Sequence, residues 1–116
     1  DDQITSLNHS DFLAEAIYKI LSSDAMETEN SLGEIYNLAG PSSGTWFEFA
    51  QFAQSIFKHQ KKESKFADIS IIPVSSEEMN FKANRPKYSH ISSDKIRKEF
   101  SLSIPSWEKS ILEIFK

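Results

Sequence analysis

The most regular stretch of the sequence is Thr45-Trp46-Phe47-Glu48-Phe49-Ala50-Gln51-Phe52-Ala53-Gln54-Ser55-Ile56-Phe57. It opens with a capping box, in which the side chains of Thr45 and Glu48 bond each other's backbone N–H groups. The apolar residues that then recur at the spacing of one helical face are Trp46, Phe49, Ala50, Phe52, Ala53, Ile56 and Phe57. This pattern predicts an amphipathic helix whose aromatic face belongs to the core.

Three more helices are predicted on either side of this one. Residues 10–22 repeat apolar side chains every three or four positions. A short helix is predicted from a Ser93 cap to about Phe100, and Pro105-Ser106 opens a last helix. The residues expected to face the core from the first and last helices are Leu13, Ile17, Ile20, Leu21, Trp107, Ile111, Leu112 and Phe115.

Short strands are predicted at residues 33–40, 69–74 and, briefly, 88–92. Helices therefore alternate with single strands, a pattern typical of α/β or α+β proteins. Two or three such strands are few for a free-standing sheet. Either the chain is helix-dominated or its strands extend a sheet formed elsewhere. In both cases we expect residues 1–116 to form a single domain or fragment.

The composition is that of a folded protein with one modest core, since 39% of the 116 residues are hydrophobic and 26% are charged. There is no cysteine, which excludes disulfide scaffolds, Cys-ligated zinc and thiol catalysis. No apolar run approaches the roughly 20 residues needed to cross a bilayer. The net charge is −4, with one Lys against nine acids in residues 1–57 and twelve Lys or Arg against eight acids in residues 58–116. Such a chain is a poor nucleic-acid binder, although its basic second half is able to receive a small anion.

Motifs for independent chemistry are missing from the sequence. It has no Gly-x-Gly-x-x-Gly and no P-loop, so neither kind of nucleotide phosphate binding is encoded. His9, His59 and His90 lack the spacing of metal ligands. We therefore predict no catalytic residue and no metal site in this chain.

One irregular, basic stretch is the best candidate for a binding site: Phe81-Lys82-Ala83-Asn84-Arg85-Pro86-Lys87-Tyr88-Ser89. Arg85 offers a planar, permanently charged fork suited to bidentate contact with phosphate. Pro86 biases the preceding backbone toward an extended form, and Lys82 and Lys87 raise the local positive potential. The alternative is that Arg85 pairs with a carboxylate of the acidic half.

Several segments also occur in a familiar order: Asp2-Gln3-Ile4, Gly33-Glu34-Ile35-Tyr36-Asn37-Leu38-Ala39-Gly40, Thr45-Trp46-Phe47-Glu48-Phe49-Ala50, Ile71-Ile72-Pro73-Val74, Ala83-Asn84-Arg85-Pro86-Lys87-Tyr88-Ser89 and Ile104-Pro105-Ser106-Trp107. In this order they resemble the C-terminal substrate-binding region of the dTDP-4-dehydrorhamnose reductases, in the extended short-chain dehydrogenase/reductase superfamily. The resemblance runs along nearly the whole chain. It implies a small helix-rich C-terminal portion of an extended short-chain reductase, with the N-terminal Rossmann domain missing from these residues.

The resemblance implies a cytoplasmic, NADPH-dependent reductase that converts dTDP-4-dehydro-L-rhamnose to dTDP-L-rhamnose for polysaccharide synthesis. The family's catalytic Tyr-x-x-x-Lys pair is absent from this chain, which is therefore expected to be inactive alone and to bind no cofactor itself. Its expected partners are a dTDP-sugar and the missing Rossmann domain, with a homodimer left open and with neither nucleic acid nor membrane. By resemblance, Arg85 faces the diphosphate. We predict Gln3, Lys82 and Asn84 as the other substrate-binding residues.

The sequence departs from the family after Asp2-Gln3-Ile4, where Thr5-Ser6-Leu7-Asn8 replaces the usual Gly-x-Pro-Thr. This departure supports a second hypothesis, a reductase-like binding or regulatory subunit without catalysis, for which the superfamily has a precedent in a regulatory subunit of methionine adenosyltransferase. A third hypothesis is a stand-alone helical interaction domain, with the aromatic stripe from Trp46 to Phe57 exposed as a docking surface.

Overall fold

Four helices and one two-stranded sheet form the regular structure of residues 2–24, 33–60 and 68–115, the part of the chain that this computed structural model describes. The mixed α/β class and all four predicted helices are confirmed. In chain order the elements are β1 (Ile4–Thr5), α1 (Ser10–Leu21), β2 (Gly44–Thr45), α2 (Trp46–Gln60), α3 (Asp94–Phe100) and α4 (Trp107–Ile114).

Strand β1 lies between two other segments of the chain. On one side it pairs antiparallel with β2, with Ile4 opposite Thr45. On the other side Ile4 forms a parallel bridge with Tyr88, in which its N–H donates to the Lys87 carbonyl at 2.8 Å and its own carbonyl accepts from the Ser89 N–H at 2.9 Å. The start of the chain, the entry to α2 and the segment after Arg85 are thus held together by backbone hydrogen bonds.

The strand predictions were wrong for residues 33–40 and 69–74, and the prediction for 88–92 survives as the single bridge at Tyr88. Along residues 33–40, side chains form the hydrogen bonds that a neighbouring β-strand would otherwise provide. The Ser93 hydroxyl accepts from the Ala39 N–H at 2.7 Å and donates to the Ala39 carbonyl at 3.0 Å. The Asn8 amide donates to the Leu38 carbonyl at 3.2 Å. A buried backbone group needs a partner, and here polar side chains provide it.

Among the described residues, the core consists of two clusters. The first packs α1 against α3 and the residues that follow it; its buried members are Ala16, Ile96, Phe100 and Leu102. The second packs α2 against α4; its buried members are Phe49, Ile56 and Ile111, with Leu7, Phe52, Ala53, Trp107 and Phe115 against them. From Phe49 onward the α2 stripe packs on α4 and is not an exposed docking surface, which contradicts the hypothesis of a stand-alone interaction domain.

Some residues that we expected in the core are exposed. Helix α1 packs Phe12, Ala16 and Ile20 against the core, so the prediction for Ile20 is confirmed, whereas Ile17 and Leu21 face outward. Leu112 of α4 is exposed as well, because that helix turns Ser110 and Ile111 inward. Trp46, the first residue of α2, is 57% exposed, whereas Phe49 one turn later is 4% exposed.

Candidate functional site

A cleft opens where β1, the beginning of α2 and residues 72–89 meet. It consists of three adjoining cavities, which we call the apolar cavity (about 290 Å³), the polar cavity (about 410 Å³) and the small cavity (about 230 Å³). Gln3, the residue before β1, lines all three. The backbone pairing of β1 on both its sides therefore determines where this cleft forms.

A hydrogen-bond network between Asp2, Gln3 and Ser76 forms one wall of the cleft. The Asp2 carboxylate accepts from the Ser76 backbone N–H at 2.9 Å and from the Ser76 hydroxyl at 2.7 Å. The Gln3 side-chain amide in turn donates to the Ser76 hydroxyl at 2.9 Å. Bonds from the Ser76 hydroxyl and then its N–H lower the pKa of Asp2 below the usual 3.8, and Lys87 at 3.7 Å adds to the effect.

The chain turns sharply just after Ser76, the residue that Asp2 and Gln3 hold by hydrogen bonds. The Glu78 carboxylate accepts from the N–H and the hydroxyl of Ser75 at 2.8 and 2.9 Å, and these bonds lower the pKa of Glu78. Asn80 completes the turn with φ of 47°, a left-handed conformation that asparagine tolerates better than most residues. As a result, Met79 and Phe81 line the apolar cavity.

Arg85 is exposed and lines both the polar and the small cavity. Its guanidinium carbon lies 5.0 Å from the centre of the Phe81 ring, a cation–π contact that holds the fork over a flat surface. Within residues 2–24, 33–60 and 68–115 it forms no salt bridge, and Lys87 is the residue that pairs with Asp2. Pairing with a carboxylate, the alternative to phosphate binding, is thus not found in this part of the chain.

Three of the four predicted site residues lie together. Gln3, Asn84 and Arg85 all line the polar cavity. Lys82 is exposed and is not among the residues that line the three cavities. The sequence did not reveal two further contributors to the cleft. Trp46 was assigned to the core by its helical spacing, and the contact between Asp2 and Ser76 joins residues too far apart in sequence for any local pattern to reveal it.

The chain's glycines are not arranged to hold a dinucleotide. A Cβ on Gly44 would lie 2.7 Å from the Phe49 ring, and one on Gly40 would lie 3.3 Å from the Leu7 carbonyl, so both serve close packing. Neither lines the cleft. The residues present therefore do not fit the diphosphate of a nicotinamide cofactor in the glycine-loop manner.

Residues 2–24, 33–60 and 68–115 offer neither a cluster of metal ligands nor a helix suited to a membrane. They contain no group of three or more His, Cys, Asp or Glu residues able to hold a metal ion. None of their helices has the length and apolar character needed to span a membrane.

Comparison with known proteins gives consistent matches. The sequence model of the family described as "RmlD substrate binding domain" matches residues 1–116. The dTDP-4-dehydrorhamnose reductase of Sinorhizobium fredii (strain NBRC 101917 / NGR234) is 26% identical over 109 residues, which are 94% of this chain and 36% of that protein. A crystal structure of dTDP-4-dehydrorhamnose reductase (rfbD) from Bacillus anthracis str. Ames in complex with NADP is similar with a TM-score of 0.74 and 32% identity, over 98% of this chain and 35% of that one. The chain thus spans just over a third of the length of these relatives.

Proposed function

This chain belongs to the RmlD substrate binding domain family, and from that premise we propose that it is the sugar-nucleotide-binding portion of a dTDP-4-dehydrorhamnose reductase. The reaction proposed for the whole protein is the NADPH-dependent conversion of dTDP-4-dehydro-L-rhamnose to dTDP-L-rhamnose, in the cytoplasm. One observation carries the proposal: Arg85, without a salt bridge in the described ranges, lines one cavity with Gln3 and Asn84. The names of the two relatives and the NADP in one of them support the proposed reaction.

The proposed division of labour follows from the residues present. NADPH, when bound, supplies the hydride that reduces the 4-keto group of the sugar. This chain has neither a glycine loop for the cofactor nor a Tyr-x-x-x-Lys pair, so both are assigned to the part of the relatives that it does not span. What its own residues contribute is binding energy and orientation of the substrate.

Arg85 is proposed to bind the diphosphate of the sugar nucleotide. Charge-assisted bonds from guanidinium to phosphate are short and directional, and the Phe81 ring beneath the fork restricts its orientation before the ligand arrives. Asn84 and Gln3 border the same cavity and offer amide groups to the ligand's remaining oxygens. Anchoring the diphosphate keeps the distant carbonyl in place for reduction, which lowers the entropic part of the barrier.

The network around Ser76 is proposed to preorganise this site. Asp2 and Gln3, at the start of the chain, form hydrogen bonds with Ser76. Asp2 also forms a salt bridge with Lys87, which follows Arg85 by two residues. With these contacts formed in the free protein, fewer side chains must become ordered when the ligand binds. This cluster is a positioning element and is not proposed to take part in the chemistry.

The test uses the full-length protein and two measurements. Calorimetry should detect binding of dTDP-L-rhamnose, and absorbance at the NADPH band should fall when dTDP-4-dehydro-L-rhamnose is added. Absence of any dTDP-sugar binding would reject the proposed function. Binding without NADPH oxidation would instead support the non-catalytic subunit suggested by the unusual Thr5-Ser6-Leu7-Asn8 segment.

A further inference from the structure

Trp46 is an aromatic residue that the proposed function leaves unexplained. It lies at the first position of α2, is 57% exposed, and lines both the apolar and the small cavity. The Phe49 ring meets it nearly at a right angle, at 85° with the ring centres 5.8 Å apart. Such an edge-to-face contact fixes the indole while leaving at least one of its faces uncovered by Phe49.

The apolar cavity around this indole has the character of a ligand site. Its lining includes Ile72, Val74, Met79 and Phe81. Polar groups are few there and converge from Asp2, Gln3 and Ser76, whose own hydrogen bonds fix them. A mostly apolar hollow with a few oriented polar groups is the usual form of a small-molecule site. Its volume of about 290 Å³ is enough for one flat heterocycle.

This cavity shares lining residues with the proposed diphosphate site. Gln3 and Phe81 line both the apolar and the polar cavity, and Trp46 and Arg85 both line the small cavity between them. A ligand held through an anionic group at Arg85 therefore lies beside a cavity that Trp46 also lines.

The chemistry of a dTDP-sugar determines which end lies at Trp46. The sugar end carries the carbonyl to be reduced and must reach the cofactor, for which this chain has no glycine loop. The remaining end is a planar, weakly polar base. Resting on the proposed function, we propose that Trp46 stacks on the thymine base of the bound nucleotide and that the apolar cavity is the base subsite. Base–aromatic stacking contributes on the order of 1–3 kcal/mol per base.

The same geometry assigns a role to the apolar side chains beside the indole. Thymine differs from uracil by one ring methyl group, and Ile72 and Met79 provide apolar surface against which that methyl is buried. Burial of one such group corresponds to about a fourfold gain in affinity. We expect dTDP to bind the full-length protein about fourfold more tightly than dUDP.

The experiment measures, in the full-length protein, calorimetric Kd values for dTDP and for inorganic pyrophosphate, which has the diphosphate and no base. Trp46→Ala should weaken dTDP binding about 5- to 150-fold and leave the Kd for pyrophosphate unchanged. Trp46→Phe, which keeps a stacking ring, should restore the Kd for dTDP to within about threefold of the original. Tyr18→Ala is the matched control, because Tyr18 is an aromatic residue on α1 that is 75% exposed and should have no effect.

The outcomes separate the two proposals. Equal weakening of dTDP and pyrophosphate by Trp46→Ala, or no weakening of either, would overturn the base subsite while leaving the proposed function intact. A wild-type protein that binds neither dTDP nor the dTDP-sugar would overturn both.

Discussion

The Ser76 hydroxyl donates to the Asp2 carboxylate at 2.7 Å, joining two residues that lie 74 positions apart in the chain. The same carboxylate accepts the Ser76 backbone N–H, so one charged group satisfies two donors of the turn that leads to Phe81 and Arg85. Hydrogen bonds to an ionised acceptor are stronger than those between neutral groups. The cleft therefore depends on the ionised state of Asp2.

This dependence predicts a loss of stability in acid. The pKa of Asp2 is lower in the folded protein than the ordinary 3.8, chiefly because of the Ser76 hydroxyl and N–H. A lowered pKa stabilises the folded state fully above 3.8, and the contribution is lost as pH falls through the lower, folded-state value. Denaturant unfolding of Asp2→Ala should show reduced stability at pH 7 that converges with the wild type in strong acid. Asp68→Ala, at an exposed aspartate, is the control; a deficit that persists unchanged in acid would show that the charge is not responsible.

A second prediction concerns Arg85 and the diphosphate. In the full-length protein Arg85→Ala should weaken binding of dTDP by about 1.5–3 kcal/mol, the scale of a charge-assisted contact, or roughly 10- to 150-fold in Kd. Arg85→Lys should recover only part of this loss, because an ammonium cannot form the bidentate contact. Arg97→Ala is the matched control, since Arg97 is a half-exposed arginine on α3 that pairs with Asp94. Calorimetry that gives the same Kd for Arg85→Ala and wild type would remove Arg85 from the site.

The capping box at the entry to α2 supports a third prediction. The Thr45 N–H donates to the Glu48 carboxylate at 2.7 Å, and the Glu48 N–H donates to the Thr45 hydroxyl at 3.1 Å. Thr45→Ala should lower the free energy of unfolding by about 0.5–2 kcal/mol, the usual effect of removing a cap. Gln51→Ala, an exposed position in the same helix, should change it by less than about 0.5 kcal/mol. Urea denaturation distinguishes the two, and equal effects would argue against the cap as the cause.

A fourth prediction concerns Ser93, which is 8% exposed and bonds both backbone groups of Ala39. Ser93→Ala leaves a buried N–H and a buried carbonyl without this partner, so we expect a loss of about 1–3 kcal/mol in unfolding free energy. Ser103→Ala, at an exposed serine, provides the comparison. If thermal melts of the two variants coincide, another group satisfies Ala39.

The sequence predicted the helices well because the signals for a helix are local. Thr45 with Glu48, and Ser106 whose side chain accepts from Lys109 N–H, lie within one turn of the groups they cap. Strands need a partner from elsewhere in the chain, and composition alone did not reveal that residues 33–40 would be held by the Ser93 side chain. The pairing of Ile4 with Thr45 and Tyr88 likewise had no local signal.

The candidate site was predicted only in part for the same reason. Arg85 was identified by its charge and the neighbouring proline, and Asn84 belongs to the same irregular basic stretch. Gln3 stands in the Asp2-Gln3-Ile4 segment, one of those that carry the family resemblance. Trp46 has the spacing of a core residue, and nothing in the sequence indicates that the buried face of α2 begins only one turn later, at Phe49. A periodic pattern identifies a helical face but not the point where that face emerges from its neighbours.

The position of β1 fixes the backbone on either side of the cleft, near Arg85 and near Trp46, the two residues proposed to hold the ligand. Ile4 is joined by backbone hydrogen bonds to the segment that follows Arg85, and it is paired with Thr45, the neighbour of Trp46. The backbone next to Trp46 and the backbone of the segment after Arg85 are therefore held on opposite sides of this one strand. Such a cleft selects a ligand by its length. It should favour nucleoside diphosphates over monophosphates because of the distance that the diphosphate spans as well as its charge.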